Sequence, residues 1–200
     1  TAATEEPKVD AEPAEDTVKE DAATYDAPPE NGWYQEYPGG PWYWYENGVR
    51  QGTTGRGKEI YDPKSDAWYW LDAVQGGAMT TNKDVYQDSN GGKWVRYDAN
   101  GHMVKGWDTN SQGTYYFDPI TGAMTKGLRD IDGIPCAFDT TTGIGLDKQW
   151  VNINGDKFWY EGGKRQGTTG RGKEIYDPAS DAWYWLDSVK NGAMAVSKDV

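Results

Sequence analysis

The sequence predicts an all-β fold: a tandem β-hairpin repeat solenoid behind a disordered acidic N-terminal tail. Three observations carry this expectation. All four methionines of the 200-residue chain stand in one frame, at Gly77-Ala78-Met79, Gly101-His102-Met103, Gly122-Ala123-Met124 and Gly192-Ala193-Met194. Each methionine follows the end of an aromatic cluster by six to eight residues, the clusters being Trp68-Tyr69-Trp70-Leu71, Trp94-Val95-Arg96-Tyr97, Tyr115-Tyr116-Phe117 and Trp183-Tyr184-Trp185-Leu186. On a longer scale, Arg50–Val85 recurs as Arg165–Val200, identical at 29 of 36 positions with a period of 115. Self-similarity at fixed spacing marks a repeat architecture, in which each unit buries its apolar face only against its neighbours.

The first element is the tail. Residues 1–32 hold ten acidic groups against two lysines, so they supply −8 of the formal net charge of −12. They contain no Trp and repeat Ala, Pro and Glu without an apolar period. Such a segment buries too little surface to offset its ordering entropy, which makes residues 1–30 a disordered linker and residues 31–200 the repeat region.

The repeat region contains units of 20 to 26 residues, anchored on Tyr45, Leu71, Tyr97, Phe117, Phe138, Tyr160 and Leu186. Each anchor is followed by Asp or Glu and soon by Gly, so an alternating stretch, a turn and a second short stretch predict seven hairpins. Side chains alternate across a strand. Counting each four-residue cluster forward, the second and fourth positions are Tyr43/Tyr45, Tyr69/Leu71, Val95/Tyr97, Tyr115/Phe117, Cys136/Phe138, Phe158/Tyr160 and Tyr184/Leu186. That face is apolar or aromatic in every unit and reads as packing. The first and third positions are Trp42/Trp44, Trp68/Trp70, Trp94/Arg96, Thr114/Tyr116, Pro135/Ala137, Lys157/Trp159 and Trp183/Trp185, a variable face that reads as the ligand face. Eleven Trp and fourteen Tyr against three Phe fit rings that are apolar on one side and wet on the other.

These frames resemble the choline-binding and cell-wall-binding repeats of Gram-positive surface proteins, which are related to glucan-binding repeats. The pattern is a Gly-Trp opening, a ring-bearing strand, an Asp-containing Gly turn, and Gly-x-Met before the next Gly-Trp. It is met best from Gly92 to Trp107 and again from Gly113 to Gly127. The resemblance implies aromatic boxes between consecutive hairpins, each holding a trimethylammonium group, with Met at the edge. Carried onto this chain, the rings are Trp33, Trp42, Trp44, Trp68, Trp70, Trp94, Trp107, Tyr116, Trp150, Trp159, Trp183 and Trp185, with Met103 as the edge residue. Several units depart from the pattern: Leu128 follows Gly127, Pro135 and Ala137 stand where rings belong, and Gly145 replaces a methionine. Units two and seven carry a longer Gly-Thr-Thr-Gly-Arg-Gly-Lys-Glu-Ile-Tyr-Asp-Pro insertion, with Lys83 or Lys198 where Gly-Trp should follow. Intact boxes are therefore expected at no more than two or three junctions.

The implied function is a non-catalytic, secreted or cell-wall-associated attachment module whose partner is choline or a cell-wall glycan on a Gram-positive polymer. A catalytic domain, if there is one, would lie outside this chain. The alternatives are a glycan-binding accessory module and a spacer without a small ligand. An acidic chain lacks the basic stripe that nucleic-acid binding requires, and no stretch reaches the length of a membrane span. Asp72, Asp98, Asp118, Asp139 and Asp187 share one post-strand position, where turn hydrogen bonding explains them without catalysis. The lone Cys136 reads as a small buried residue, and the lone His102 as a turn residue rather than a metal ligand or catalytic base. No cofactor is implied. Gly52–Lys58 lacks the spacing of a phosphate loop and reads as a long hairpin connection.

Overall fold

The computed structural model describes residues 26–197 and 199. The tail up to residue 25 and the expected departure at Lys198 lie outside the described residues. Among the described residues, every regular element apart from three short 3-10 turns is a strand. Seven antiparallel hairpins follow one another: Gly32–Gln35 with Trp42–Glu46, Gly57–Asp62 with Ala67–Asp72, Lys83–Gln87 with Lys93–Tyr97, Gly106–Asn110 with Gly113–Phe117, Gly127–Ile131 with Ile134–Phe138, Gln149–Ile153 with Asp156–Glu161, and Lys173–Asp177 with Ala182–Asp187.

The strand pairing within a unit differs from the expected one. The ring-bearing strand pairs mainly with the strand before it, and the stretch after its Gly turn returns only as a short third strand. That return meets the anchor residue through Leu71↔Met79, Tyr97↔Met103, Phe117↔Met124 and Leu186↔Met194. Gly145, Arg50 and Arg165 occupy the same slot opposite Phe138, Tyr45 and Tyr160. The Gly-Thr-Thr-Gly-Arg-Gly-Lys segment is likewise not a hairpin's own connection. From Gly57 it is the opening strand of the second unit, and Lys173–Asp177 repeats this in the seventh.

A hydrogen-bond pattern repeats with the units. The residue after the methionine slot donates its N–H to the third cluster position's carbonyl in all seven: Gln51 to Trp44, Thr80 to Trp70, Val104 to Arg96, Thr125 to Tyr116, Leu146 to Ala137, Gln166 to Trp159 and Ala195 to Trp185, at 2.8–3.0 Å. In three units the slot residue also bonds the preceding unit. Met103 N–H donates to the Trp68 carbonyl, Met124 to Trp94 and Gly145 to Thr114, at 2.7–2.8 Å. Buried backbone groups are thereby satisfied along the stack, which a solenoid requires at every junction. The turns hold the same order through their aspartates. Asp98 Oδ1 accepts from the N–H groups of Asn100 and His102, Asp118 from Ile120 and Thr121, and Asp139 from Thr141 and Thr142. Val74 and Val189 donate equivalently to Asp72 and Asp187.

Apolar burial is divided into small clusters rather than gathered in one core, and the alternation explains most of it. Leu71, Val95, Tyr97, Phe117, Phe138, Tyr160 and Leu186 are buried, with Cys136 among them. The third position of one unit inserts into the cluster of the next. Trp44 packs with Ile60, Tyr69 and Leu71. Trp70 packs with Val85, Val95 and Tyr97. Tyr116 joins Cys136 and Phe138, and Trp159 joins Ile175 and Leu186. The expected ligand face is therefore split. Its first positions stay at the rim, where Trp42, Trp68, Trp94 and Trp183 are exposed, while its third positions join the core, Trp159 at 1 % exposure.

Candidate functional site

Strand register defines one equivalent slot at each junction. The opening-strand residue opposite the third cluster position faces the slot, as Trp33 does opposite Trp44. The first cluster position of the same unit forms the rim. The second cluster position and the methionine-slot residue of the next unit form the other side.

At the first junction these residues are Trp33, Trp42, Tyr69 and Met79, and they line a cavity of about 250 Å³ together with Asn100 from the third unit's turn. Trp33 stands edge-on to Trp44 at 4.9 Å between ring centroids and to Tyr69 at 4.7 Å. Its indole N–H donates to Asp62 Oδ2 at 3.0 Å, and Asp62 is itself buried. Tyr69 is fixed by Ser65 Oγ at 2.8 Å from its hydroxyl and by the His102 ring edge at 5.2 Å. Trp42, 41 % exposed, is the wall open to solvent. No lining residue carries a charge. Three ring faces, a thioether and one amide attract a cation but offer it no carboxylate. Such a lining suits a cation that donates no hydrogen bond.

The other slots are composed differently. At the third junction Asp84 replaces the Trp and forms a bidentate pair with Arg96 at 2.7 and 3.0 Å, while Arg96 also reaches Asp108 at 3.0 Å. The Arg96 guanidinium lies 4.1 Å from the centroid of Tyr115, the second-position ring, so the protein's own cation covers it. Two arginines in the methionine slot do the same: Arg50 lies 3.7 Å over Tyr43, and Arg165 3.8 Å over Phe158. At the fourth junction Lys164 Nζ sits 4.8 Å over Trp107, whose neighbours are Tyr116 and Phe138. The second junction offers Glu59, Trp68, Val95 and Met103, and the fifth Leu128, Pro135, Phe158 and Arg165. The sixth places Trp150 between Trp159 and Tyr184 at 4.9 and 5.1 Å, with Met194 in the slot and Lys157 at the rim.

The sequence-derived site residues therefore divide into several settings. Trp33 and Trp42 line the open cavity. Trp44, Trp70, Tyr116 and Trp159 pack between units, and Trp185 lies half-buried beside Gly172. Met103 packs with Val95 and Tyr97, and Trp107 lies under Lys164. Trp68, Trp94 and Trp183 stand on the outer face, each paired with a tyrosine: Tyr61 at 5.2 Å, Tyr86 at 5.5 Å and Tyr176 at 5.3 Å. Tyr69, Met79 and Asn100 were not anticipated. Tyr69 sits on the face assigned to packing. In a coiled array, that face is what a hairpin presents to the unit before it.

The carboxylates nearest these rings serve as hydrogen-bond acceptors. Asp177 accepts Trp150 Nε1, Ala179 N–H and Ser180 Oγ, each at 3.0 Å, and the Trp150 bond above all holds its carboxyl below the usual range. Burial pushes the Cys136 thiol up, as fits an inert packing group. Among the described residues, no three His, Cys, Asp or Glu side chains are grouped to hold a metal ion. No helix among them is long and apolar enough to cross a membrane.

This array of three-stranded hairpin units has the fold of the choline-binding repeat proteins, and residues 87–133 match the family model of the choline-binding repeat. Among solved structures, the chain is similar to choline binding protein F from Streptococcus pneumoniae, with 24% identity and a TM-score of 0.56 over 85% of this chain and 53% of that one. CbpJ from Streptococcus pneumoniae TIGR4 matches with 24% identity and a TM-score of 0.59, covering 85% and 54%. A structure of CbpF in complex with ipratropium matches at 24% identity and TM-score 0.54, covering 85% and 55%. The chain spans about half the length of these proteins, and at this identity the likeness establishes the fold. No curated protein sequence matches the chain.

Proposed function

We propose that the chain is a non-catalytic, extracellular attachment module that holds a protein to a Gram-positive cell surface by binding the choline of teichoic acid. The observation that carries this reading is the uncharged cavity between the first and second hairpins. A quaternary ammonium donates no hydrogen bond, so it loses little on leaving water for a lining of Trp33, Trp42, Tyr69 and Met79. At about 0.5–2 kcal/mol per ring contact, three rings supply roughly the −4 kcal/mol of a millimolar site. Attachment to a polymer is then helped by the many copies of the ligand that the polymer carries. The choline-binding repeat match at residues 87–133 and the choline-binding proteins that share the fold support the ligand class.

A second reading has its own observation. The outer Tyr–Trp pairs at 61/68, 86/94 and 176/183 expose broad ring surfaces of the kind on which pyranoses stack. Tryptophan fluorescence separates the two readings. Choline should change the emission with saturation in the millimolar range, and the change should be lost or weakened in Trp42→Ala. A response to glucan or peptidoglycan oligosaccharides with none to choline at tens of millimolar would favour the glycan reading and sink the first.

A further inference from the structure

The sixth junction is a near copy of the first. Trp150 meets Trp159 at 4.9 Å and 63°, as Trp33 meets Trp44 at 4.9 Å and 69°. Trp150 meets Tyr184 edge-on at 5.1 Å, as Trp33 meets Tyr69 at 4.7 Å. Both indole N–H groups donate at 3.0 Å to the aspartate closing the next opening strand, Asp177 or Asp62. Both tyrosine hydroxyls meet a serine, Ser180 at 2.9 Å and Ser65 at 2.8 Å. Met194 and Met79 occupy equivalent slots opposite Leu186 and Leu71. Neither second-position ring is covered by an arginine, unlike Tyr43, Tyr115 and Phe158. The rim differs: position 42 is Trp, and position 157, one long period on, is Lys.

Resting on the reading of the first junction as a quaternary-ammonium site, we infer that Lys157 is the specificity-determining residue that closes the sixth junction to that ligand. The substitution removes one ring wall and puts an ammonium at the mouth, so a cationic ligand meets like charge where the first junction offers a π face. Lys157 is exposed and its strand partner is Asn152, so the residue contributes nothing to the core that would require it there. The Trp of the slot is anchored and its Tyr and Met are in place, whereas Asn100 and His102, which line and back the first slot from a third unit, have no counterpart beside Tyr184 among the described residues.

The test is the stoichiometry of choline binding to the full chain by equilibrium dialysis. Wild type should bind one choline, Lys157→Trp two, Trp42→Lys none, and the double variant one. Circular dichroism should report an unchanged fold for all of them, since both positions lie at the rim. A wild type that binds none overturns the proposed function and this inference with it. A wild type that binds one, with Lys157→Trp still binding one or the double variant binding none, overturns the inference alone.

Discussion

Trp42 and Trp159 show how similar residues take opposite duties. Both lie on the same face of ring-bearing strands, yet Trp42 is a solvent-facing wall and Trp159 is core at 1 % exposure. Trp42→Ala should weaken choline binding by about 2- to 30-fold, the loss of one cation–π contact, with a change in stability within about 0.5 kcal/mol. Trp159→Ala should instead cost about 3–5 kcal/mol in chemical denaturation, the usual penalty for emptying a large buried ring. Trp44 and Trp70, which the alternation alone would place with Trp42, belong with Trp159 because they insert into the next unit's cluster. The aspartates make a pH prediction at the same scale. Backbone N–H groups of Thr121 and Ile120, with Arg129 beside them, hold the Asp118 carboxyl near a pKa of about 2, and Asp139 and Asp177 are lowered as well. A carboxyl depressed on folding contributes stability that is full above its unfolded pKa, near 4, and is lost as pH falls through its folded pKa. Thermal stability should therefore fall between about pH 4 and pH 2, and Asp118→Asn should flatten that fall.

The element is the three-stranded unit, and the glycine of each turn is part of its stacking. Gly122 has φ +71°, and a Cβ there would lie 2.5 Å from Met103 Sδ of the preceding unit. Gly122→Ala should cost about 1–2 kcal/mol, chiefly from the left-handed backbone, since the methionine can shift. Urea denaturation measures it. Arg96 is a second element-scale device, pairing Asp84 of its own hairpin with Asp108 of the next. Arg96→Ala should cost about 2 kcal/mol, between an exposed and a fully buried pair. The unit's repetition was legible in the sequence because the Gly-x-Met frame and the aromatic anchors are local features. Its internal pairing was not. Whether a ring strand takes its main partner from before or after depends on register, and Gly57–Asp62 disguised an opening strand as an inserted loop.

On the scale of the whole molecule, the constant face and the turn aspartates were readable because alternation and turn chemistry act within one strand. The cavity at the first junction was only half legible in the sequence. Of its lining, Trp33 and Trp42 come from one hairpin and stand out in the sequence, whereas Tyr69, Met79 and Asn100 come from the following units and depend on how the array coils. Met103 and Met79 share a local motif and both pack against a buried cluster, and the coiling brings Met79 to the ring cavity as well. Between the two copies of the slot the chain carries covering cations at Arg96, Lys164 and Arg165, each over a ring near a junction. The array thus holds far fewer open slots than aromatic clusters. Most of its rings build the scaffold.

The most direct measurement is a crystal structure of the chain grown with choline. One trimethylammonium group should lie among Trp33, Trp42, Tyr69 and Met79, with Arg96 still over Tyr115 and no ligand beside Lys157. An empty first junction, or choline bound with Arg96 or Lys164 displaced from its ring, would contradict this prediction.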